Sequence, residues 1–245
     1  MKNKISIEWY DEIDSTNTEM QRKIDALENF SVIAAVNQTA GRGQRGNTWH
    51  VQEGKNLTFS LFLKFQPGEL EAADNFLLSE AAALAMLDYL RGEGIECKIK
   101  WPNDIYYKNK KICGMLIENT ISERNISNSI IGIGLNVNQK DFPAGLVNPI
   151  SMSQITNKAY SLKEELVKLC RCLSSRLTLP FGEGMANKYE ECLYRKDEFH
   201  EYSDCASGKP FVGKIIGVSP DGMLCVETEK GEVRRFAFKE ISYII

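Results

Sequence analysis

Residues 110–138 read KKICGMLIENTISERNISNSIIGIGLNVN, and two apolar runs stand out in them. Ile112 to Glu118 and Ser129 to Val137 each have the length of a strand, with the polar segment Ser122 to Asn128 as the turn between them. Neighbouring apolar strands joined in this way pair antiparallel. Upstream, Ser31 to Asn37 is a short apolar run suited to a buried strand. Leu57, Phe59, Leu61 and Leu63 alternate with Thr58, Ser60, Phe62 and Lys64 as another, and Cys97 to Lys100 is extended until it meets Trp101-Pro102.

Helices flank these runs. Thr16 and Glu19 have the spacing of a capping box, followed by Met20, Ile24 and Leu27 at helical intervals. Residues 72–91 are rich in Ala and Leu and end at Gly92 and Gly94, and further helices are expected at about 161–177 and 180–196. Asn138 to Thr156 carries Pro143 and Pro149 with few periodic apolar residues, so a loop is expected there.

From Phe211 the pattern turns to short strands with turn signals at Asp221-Gly222 and Lys230-Gly231. Val212, Ile215, Val218, Leu224, Val226, Val233, Phe236, Phe238 and Ile241 would supply the core of a small barrel. That change of period predicts a domain boundary, with 1–197 as one unit and 198–245 as the other.

Composition narrows the function. The 245 residues are 43% hydrophobic and 26% charged, which fits a globular chain with a real core and not a disordered one. A net charge of −3 argues against a broad basic surface for duplex DNA, though a local basic loop is compatible with it. No apolar run approaches the roughly 20 residues of a membrane span. The first residues lack the apolar centre of a secretory signal. Seven scattered cysteines without a CxxC do not form a disulfide framework, so a reduced, cytoplasmic protein is expected.

Familiar catalytic motifs are missing. There is no GxxxxGK[ST], no GxGxxG (Gly132-Ile133-Gly134 lacks the third glycine), no zinc spacing around His50 or His200, and no GxSxG elbow. What remains is a set of polar clusters. Gly41-Arg42-Gly43-Gln44-Arg45-Gly46-Asn47-Thr48-Trp49 combines backbone N–H groups freed by glycine with guanidinium forks, a make-up that suits phosphate oxygens. Taken alone, it is equally a solvated loop with a packed Trp49. Lys100-Trp101-Pro102-Asn103-Asp104 is a turn followed by Lys110-Lys111 at the mouth of an apolar strand. Lys111 there can meet a carboxylate or phosphate, or simply face water. Asp14-Ser15-Thr16-Asn17 precedes the first helix, Gln38 ends a strand, and Asn136 and Asn138 end another; helix capping and turn formation explain these positions too.

Together and in this order, D-S-T-N-T at 14–18, N-Q-T-A-G-R-G-Q-R-G-N-T-W at 37–49, K-W-P-N-D at 100–104, K-K-I-C-G-M-L-I-E at 110–118 and G-I-G-L-N-V-N at 132–138 resemble the biotin protein ligase family. The resemblance covers about residues 7–245. It implies an α+β fold with a mainly antiparallel mixed sheet, helices on one side, and a small C-terminal SH3-like β-barrel. It also implies ATP-dependent formation of biotinyl-5′-AMP with Mg²⁺, then transfer of biotin to a lysine of a biotin carboxyl carrier domain.

By the same resemblance, Ser15, Thr16, Asn17 and Gln38 match positions around the biotin ring, and Arg42, Gly43 and Gln44, expected to bind biotin as well, lie in the loop that covers the adenylate. Lys111 matches the lysine beside the biotin carboxyl and, with Arg42, is expected to be catalytic. Arg42, Arg45, Trp49 and Asn136 match nucleotide-side positions, and Asn103 and Asp104 are given a supporting role. Gln44 stands where many relatives have Arg, which removes one charge. Because D-S-T-N-T begins at residue 14, no repressor domain is expected before it. Monomer and homodimer are left equally open. Three rivals stay in view: a lipoate or octanoate ligase of similar fold, an RNA-binding module using the Arg-Gly loop, and a biotin sensor without catalysis.

Overall fold

The computed structural model describes residues 5–49, 51–146, 148–182 and 184–245. The chain opens with strand β1 (Ser6–Ile13), helix α1 (Thr16–Arg22), β2 (Ser31–Gln38), β3 (Leu57–Lys64) and helix α2 (Phe76–Gly92). Next come β4 (Lys98–Lys100), β5 (Asp104–Tyr107), β6 (Lys110–Ser122) and β7 (Asn125–Leu135), then helices α3 (Met152–Thr156), α4 (Leu162–Arg176) and α5 (Met185–Glu191). The last part is all strand: β8 (Phe199–Asp204), β9 (Pro210–Val218), β10 (Leu224–Thr228), β11 (Val233–Phe236) and β12 (Ile241–Tyr243).

The first seven strands form one sheet in the order β1-β2-β3-β7-β6-β5-β4. Only β1 and β2 pair parallel, because α1 carries the chain back between them; the other ladders are antiparallel. The α+β expectation holds. A second, antiparallel sheet of five strands, ordered β11-β10-β9-β8-β12, follows as the SH3-like part.

The period-2 alternation sorts the central strands onto two faces. Leu57, Phe59, Leu61 and Leu63 of β3 point with Ile131, Ile133 and Leu135 of β7 into the large core under α2, α4 and α5. Alanines at 81, 82, 83 and 85 let α2 lie close on the sheet, and all are fully buried. On the opposite face, Phe62, Ile130 and Ile33 meet Met20 of α1 in a small cluster of their own. Beyond that cluster this second face is where the cavity forms.

Several expectations need correction. The capping box at Thr16 and Glu19 does not form: Ser15 is the residue that precedes α1, and no side chain caps it. Glu19 instead reaches Tyr10 and Arg22, and the helix stops at Arg22, short of Ile24. β1 and β5 are strands the sequence did not disclose, since neither carries a clean apolar alternation. Asn138 to Thr156 is not all loop. Ser151 and Gln154 form a reciprocal capping box that starts α3. Asn119 to Ser122, polar except for the exposed Ile121, continue β6, so only Glu123 and Arg124 separate β6 from β7, with Glu123 in the left-handed region at φ 56°. The helix expected over 180–196 shortens to α5, and that expected over 72–91 starts at Phe76.

In the second sheet Ile215, Leu224, Val226, Phe236 and Ile241 are buried as expected, joined by Tyr202, whereas Val233 is 55% exposed. These side chains belong to the same continuous apolar core as the first sheet.

Candidate active site

Three glycines make the floor. Gly134 of β7 stands opposite both Thr58 of β3 and Gly114 of β6, and Gly132 stands opposite Ser60 and Leu116. A side chain there has no room. A Cβ on Gly132 would fall 2.2 Å from Asn17 Oδ1, and one on Gly134 would fall 2.2 Å from Trp49 Cε2. The Gly-Ile-Gly run that fails as a dinucleotide motif is thus a bare patch of sheet, onto which α1 and the Arg-Gly loop each set one side chain.

One end of the floor is ringed by uncharged polar groups. Ser15, Thr16 and Asn17 are all nearly fully buried. Gln38, at the end of β2, accepts from the Thr16 backbone N–H at 2.8 Å and from its hydroxyl at 3.2 Å. Ser60 Oγ donates to Asn17 Oδ1 at 2.5 Å and lies 2.8 Å from Thr16 Oγ1. Ser60 is fully buried and supports Thr16 and Asn17 without lining the cavity, a role the sequence reading missed although its place on the polar side of the β3 alternation was the available signal. Asn17 Nδ2 completes the set by donating to Glu118 Oε2 at 2.7 Å. Ser15, Thr16, Asn17 and Gln38 line the cavity, and Ser60 and Glu118 hold Asn17 from outside the lining.

The Arg-Gly loop folds over this floor as a small hairpin. Gly43 N–H donates to Asn47 O at 2.7 Å and Trp49 N–H to Gly41 O at 2.9 Å, while Gly46 turns at φ 82°. A Cβ at Gly41 would stand 2.6 Å from Trp49 O, so this crossing also needs glycine. Arg42 is ion-paired with Glu118 of β6. Trp49 lies on Gly114 and Gly134, with Lys111 Nζ 5.5 Å from its ring centroid. Gln44 Oε1 and Trp49 Nε1 are buried without a partner. The Arg45 side chain and His50 lie outside the described residues.

The cationic end is built by β4, β5 and β6. Lys111 Nζ is 2.7 Å from Asp104 Oδ1, and Lys100 Nζ is 3.9 Å from Asp104 Oδ2. Burial holds the Lys100 ammonium below its usual pKa range, with Asp104 pulling the other way. Its Nζ also lies 4.6 Å from the Tyr243 ring centroid of the second sheet. Asn103 donates to Met115 O at 2.6 Å, and Trp101 Nε1 donates to Gly222 O at 3.0 Å, so the K-W-P-N-D turn is pinned to both sheets. Asn136 is buried, its Nδ2 3.5 Å from the Lys111 carbonyl.

Most of these groups, though neither Ser60 nor Glu118, line one cavity of about 710 Å³. Ser15, Thr16, Asn17 and Gln38 line it at one end, Lys111, Asn136 and Trp49 at the other, with Arg42, Gly43 and Gln44 along the loop. A further wall comes from Tyr243 of β12 and from Phe238 and Lys239 in the connection between β11 and β12. Among the described residues no group of three His, Cys, Asp or Glu is placed to hold a metal ion, and Asp104, the carboxylate in the lining, is already engaged by two lysines.

The model of the Biotin/lipoate A/B protein ligase family matches residues 9–136, from β1 through the glycine floor. The chain belongs to this family. It is 30% identical over 211 residues to the bifunctional ligase/repressor BirA of Bacillus subtilis, a match over 82% of this chain and 62% of that protein. It is 36% identical over 160 residues to the biotin–[acetyl-CoA-carboxylase] ligase of Paracoccus denitrificans, over 62% of this chain and 65% of that one. The chain thus spans less than two thirds of the length of these curated relatives. The biotin protein ligase of Aquifex aeolicus, solved in complex with biotin and ATP, superposes with a TM-score of 0.79 at 28% identity, covering 97% of both chains. With 97% of this chain covered, the superposition extends over the residues of both sheets.

Proposed function

We propose that the chain is an ATP-dependent biotin–protein ligase. The observation that carries this reading is the polarity gradient of the single cavity. A buried nest of uncharged donors and acceptors lies at one end with Arg42 beside it, a bare glycine floor in the middle, and Lys111 and Lys100 toward the other. An apolar acid with a neutral hydrogen-bonding head and a carboxylate tail fits that order, with a nucleotide beyond it. The matched Aquifex structure, with its biotin and ATP, supports the same assignment.

In this reading a carboxylate oxygen of biotin attacks the α-phosphorus of ATP and pyrophosphate leaves. Lys111 offsets the repulsion between the two anions and then the charge that develops at the acyl group. Arg42, Gly43 and Gln44 cover the adenylate, and Trp49, Asn136 and Arg45 serve the nucleotide side. The acceptor lysine amine then attacks the acyl carbon, loses a proton and expels AMP. Mg²⁺ enters as part of the substrate, bound to the ATP phosphates; among the described residues no three His, Cys, Asp or Glu gather to hold it.

The acceptor is a biotin carboxyl carrier domain of the acetyl-CoA carboxylase type, with residues 1–197 as the catalytic unit and 198–245 as the barrel. The unpaired state of all seven cysteines fits a reducing cytoplasm. No repressor role is part of the proposal, since a net charge of −3 offers no general attraction for DNA. Incubating the protein with biotin, Mg·ATP and a carrier domain tests the second half-reaction. Mass spectrometry should find one biotin on one acceptor lysine, and an unmodified carrier would refute the acceptor assignment.

A further inference from the structure

Glu118 lies outside the cavity lining, yet each of its carboxylate oxygens holds a residue that lines it. Oε2 accepts from Asn17 Nδ2 at 2.7 Å, and Oε1 pairs with the Arg42 guanidinium. Asn17 is thereby fixed on both sides, since Ser60 supplies the hydrogen bond to its Oδ1. Arg42 is otherwise only loosely held, with Thr18 Oγ1 3.5 Å away.

The pair is half-exposed, with side-chain accessibilities of 46% for Arg42 and 36% for Glu118. An ion pair so placed contributes little to stability. What it does instead is place a carboxylate where an anionic ligand would otherwise be the partner of Arg42. The location follows from the β6 alternation: Gly114, Leu116 and Glu118 share the cavity face, and Glu118 is the first side chain beyond the floor that can reach both α1 and the loop.

We propose that Glu118 is a positioning residue for both substrates: it orients the Asn17 amide toward biotin and acts as the resident counter-ion of Arg42 until a phosphate takes its place. This rests on the ligase reading above. Its consequence is that the two substrates respond to Glu118 in opposite directions. The carboxylate helps the biotin side by fixing Asn17 and competes with the nucleotide for Arg42.

Glu118→Gln keeps the shape and one carbonyl oxygen but removes the charge. In biotin-dependent ATP–pyrophosphate exchange, the KM for ATP should fall about two- to fivefold, the range an exposed ion pair supplies. The KM for biotin should rise about three- to tenfold as Asn17 loses a charged acceptor. In the ligand-free protein, tryptic cleavage after Arg42 should quicken severalfold. A substitution that merely loosened the fold would raise both KM values together. That result, or two unchanged KM values, or unchanged cleavage at Arg42, would overturn the proposal. Wild-type protein that exchanges nothing would instead overturn the ligase reading, and this inference with it.

Discussion

Lys111 Nζ reaches Asp104 Oδ1 at 2.7 Å because β6 accommodates one extra residue beside β5. Ile105 pairs with Cys113 but Tyr106 pairs with Lys111, so Ile112 has no partner across the ladder. Ile112 and Cys113 both pack into the large apolar core, whereas consecutive residues of a regular strand point to opposite faces. The bulge turns Lys111 from the core face to the cavity face, a known use of bulges beside active sites.

Lys111→Ala should therefore slow adenylate formation by about 10²–10³, the usual cost of losing one electrostatic donor to a developing charge. Its thermal unfolding should stay close to wild type, since the side chain faces the cavity and not the core. Asp104→Asn should cost less, because Lys111 remains but loses the group that aims it. Single-turnover formation of biotinyl-5′-AMP measures both, and equal losses in the two variants would point to Asp104 acting on substrate directly.

Gly134→Ala should damage the site more than the fold. The new methyl would meet the Trp49 ring at 2.2 Å, and moving that ring displaces the loop end that covers the floor. Gly132→Ala acts in the same way on Asn17, again at 2.2 Å. Isothermal titration with biotin should show weakening of at least tenfold for Gly132→Ala. Wild-type affinity in that variant would mean that Asn17 does not touch the ligand.

Far from the site, Glu80 of α2 is buried, with Oε2 lacking a hydrogen-bond partner. Burial, with Glu190 nearby, pushes its carboxyl up to about 7. Glu190 is itself held by the Val218 N–H at 3.0 Å, and Tyr189 is buried next to it in α5. A folded-state pKa above the unfolded value means that the native state holds the proton longer. Glu80 thus favours the fold fully below its unfolded pKa of about 4.5, and that contribution is lost as pH rises through about 7. Glu80→Gln should remove the dependence, so its Tm advantage over wild type should grow between pH 5 and pH 8. A constant difference across that range would contradict the assignment.

Much of this molecule is legible in its sequence because alternation sets β3, apolar runs set β2, β6 and β7, and several of the polar clusters fall at the ends of those strands. Thr16, Gln38, Arg42, Lys111 and Asn136 do line one cavity. What escapes the sequence is geometry between distant segments. The T-x-x-E spacing at Thr16 looked local, yet Gln38, far along the chain, takes the Thr16 N–H and hydroxyl. The bulge at Ile112 leaves no mark in residue type. Glu118, at the end of a quoted motif, shows a role only when α1 and the Arg-Gly loop are both beside it. Gly132 and Gly134 look like a broken nucleotide motif until Asn17 and Trp49 are seen resting on them.

The central claim is that the polar nest and the lysine end of one cavity activate biotin. Pyrophosphate exchange into ATP in the presence of Mg²⁺, with biotin, lipoate and octanoate supplied separately, tests it most directly. Exchange is expected with biotin and not with the other two acids, whose heads offer nothing to Thr16, Asn17 and Gln38. Exchange driven by lipoate or octanoate, or silence with all three, would contradict the claim.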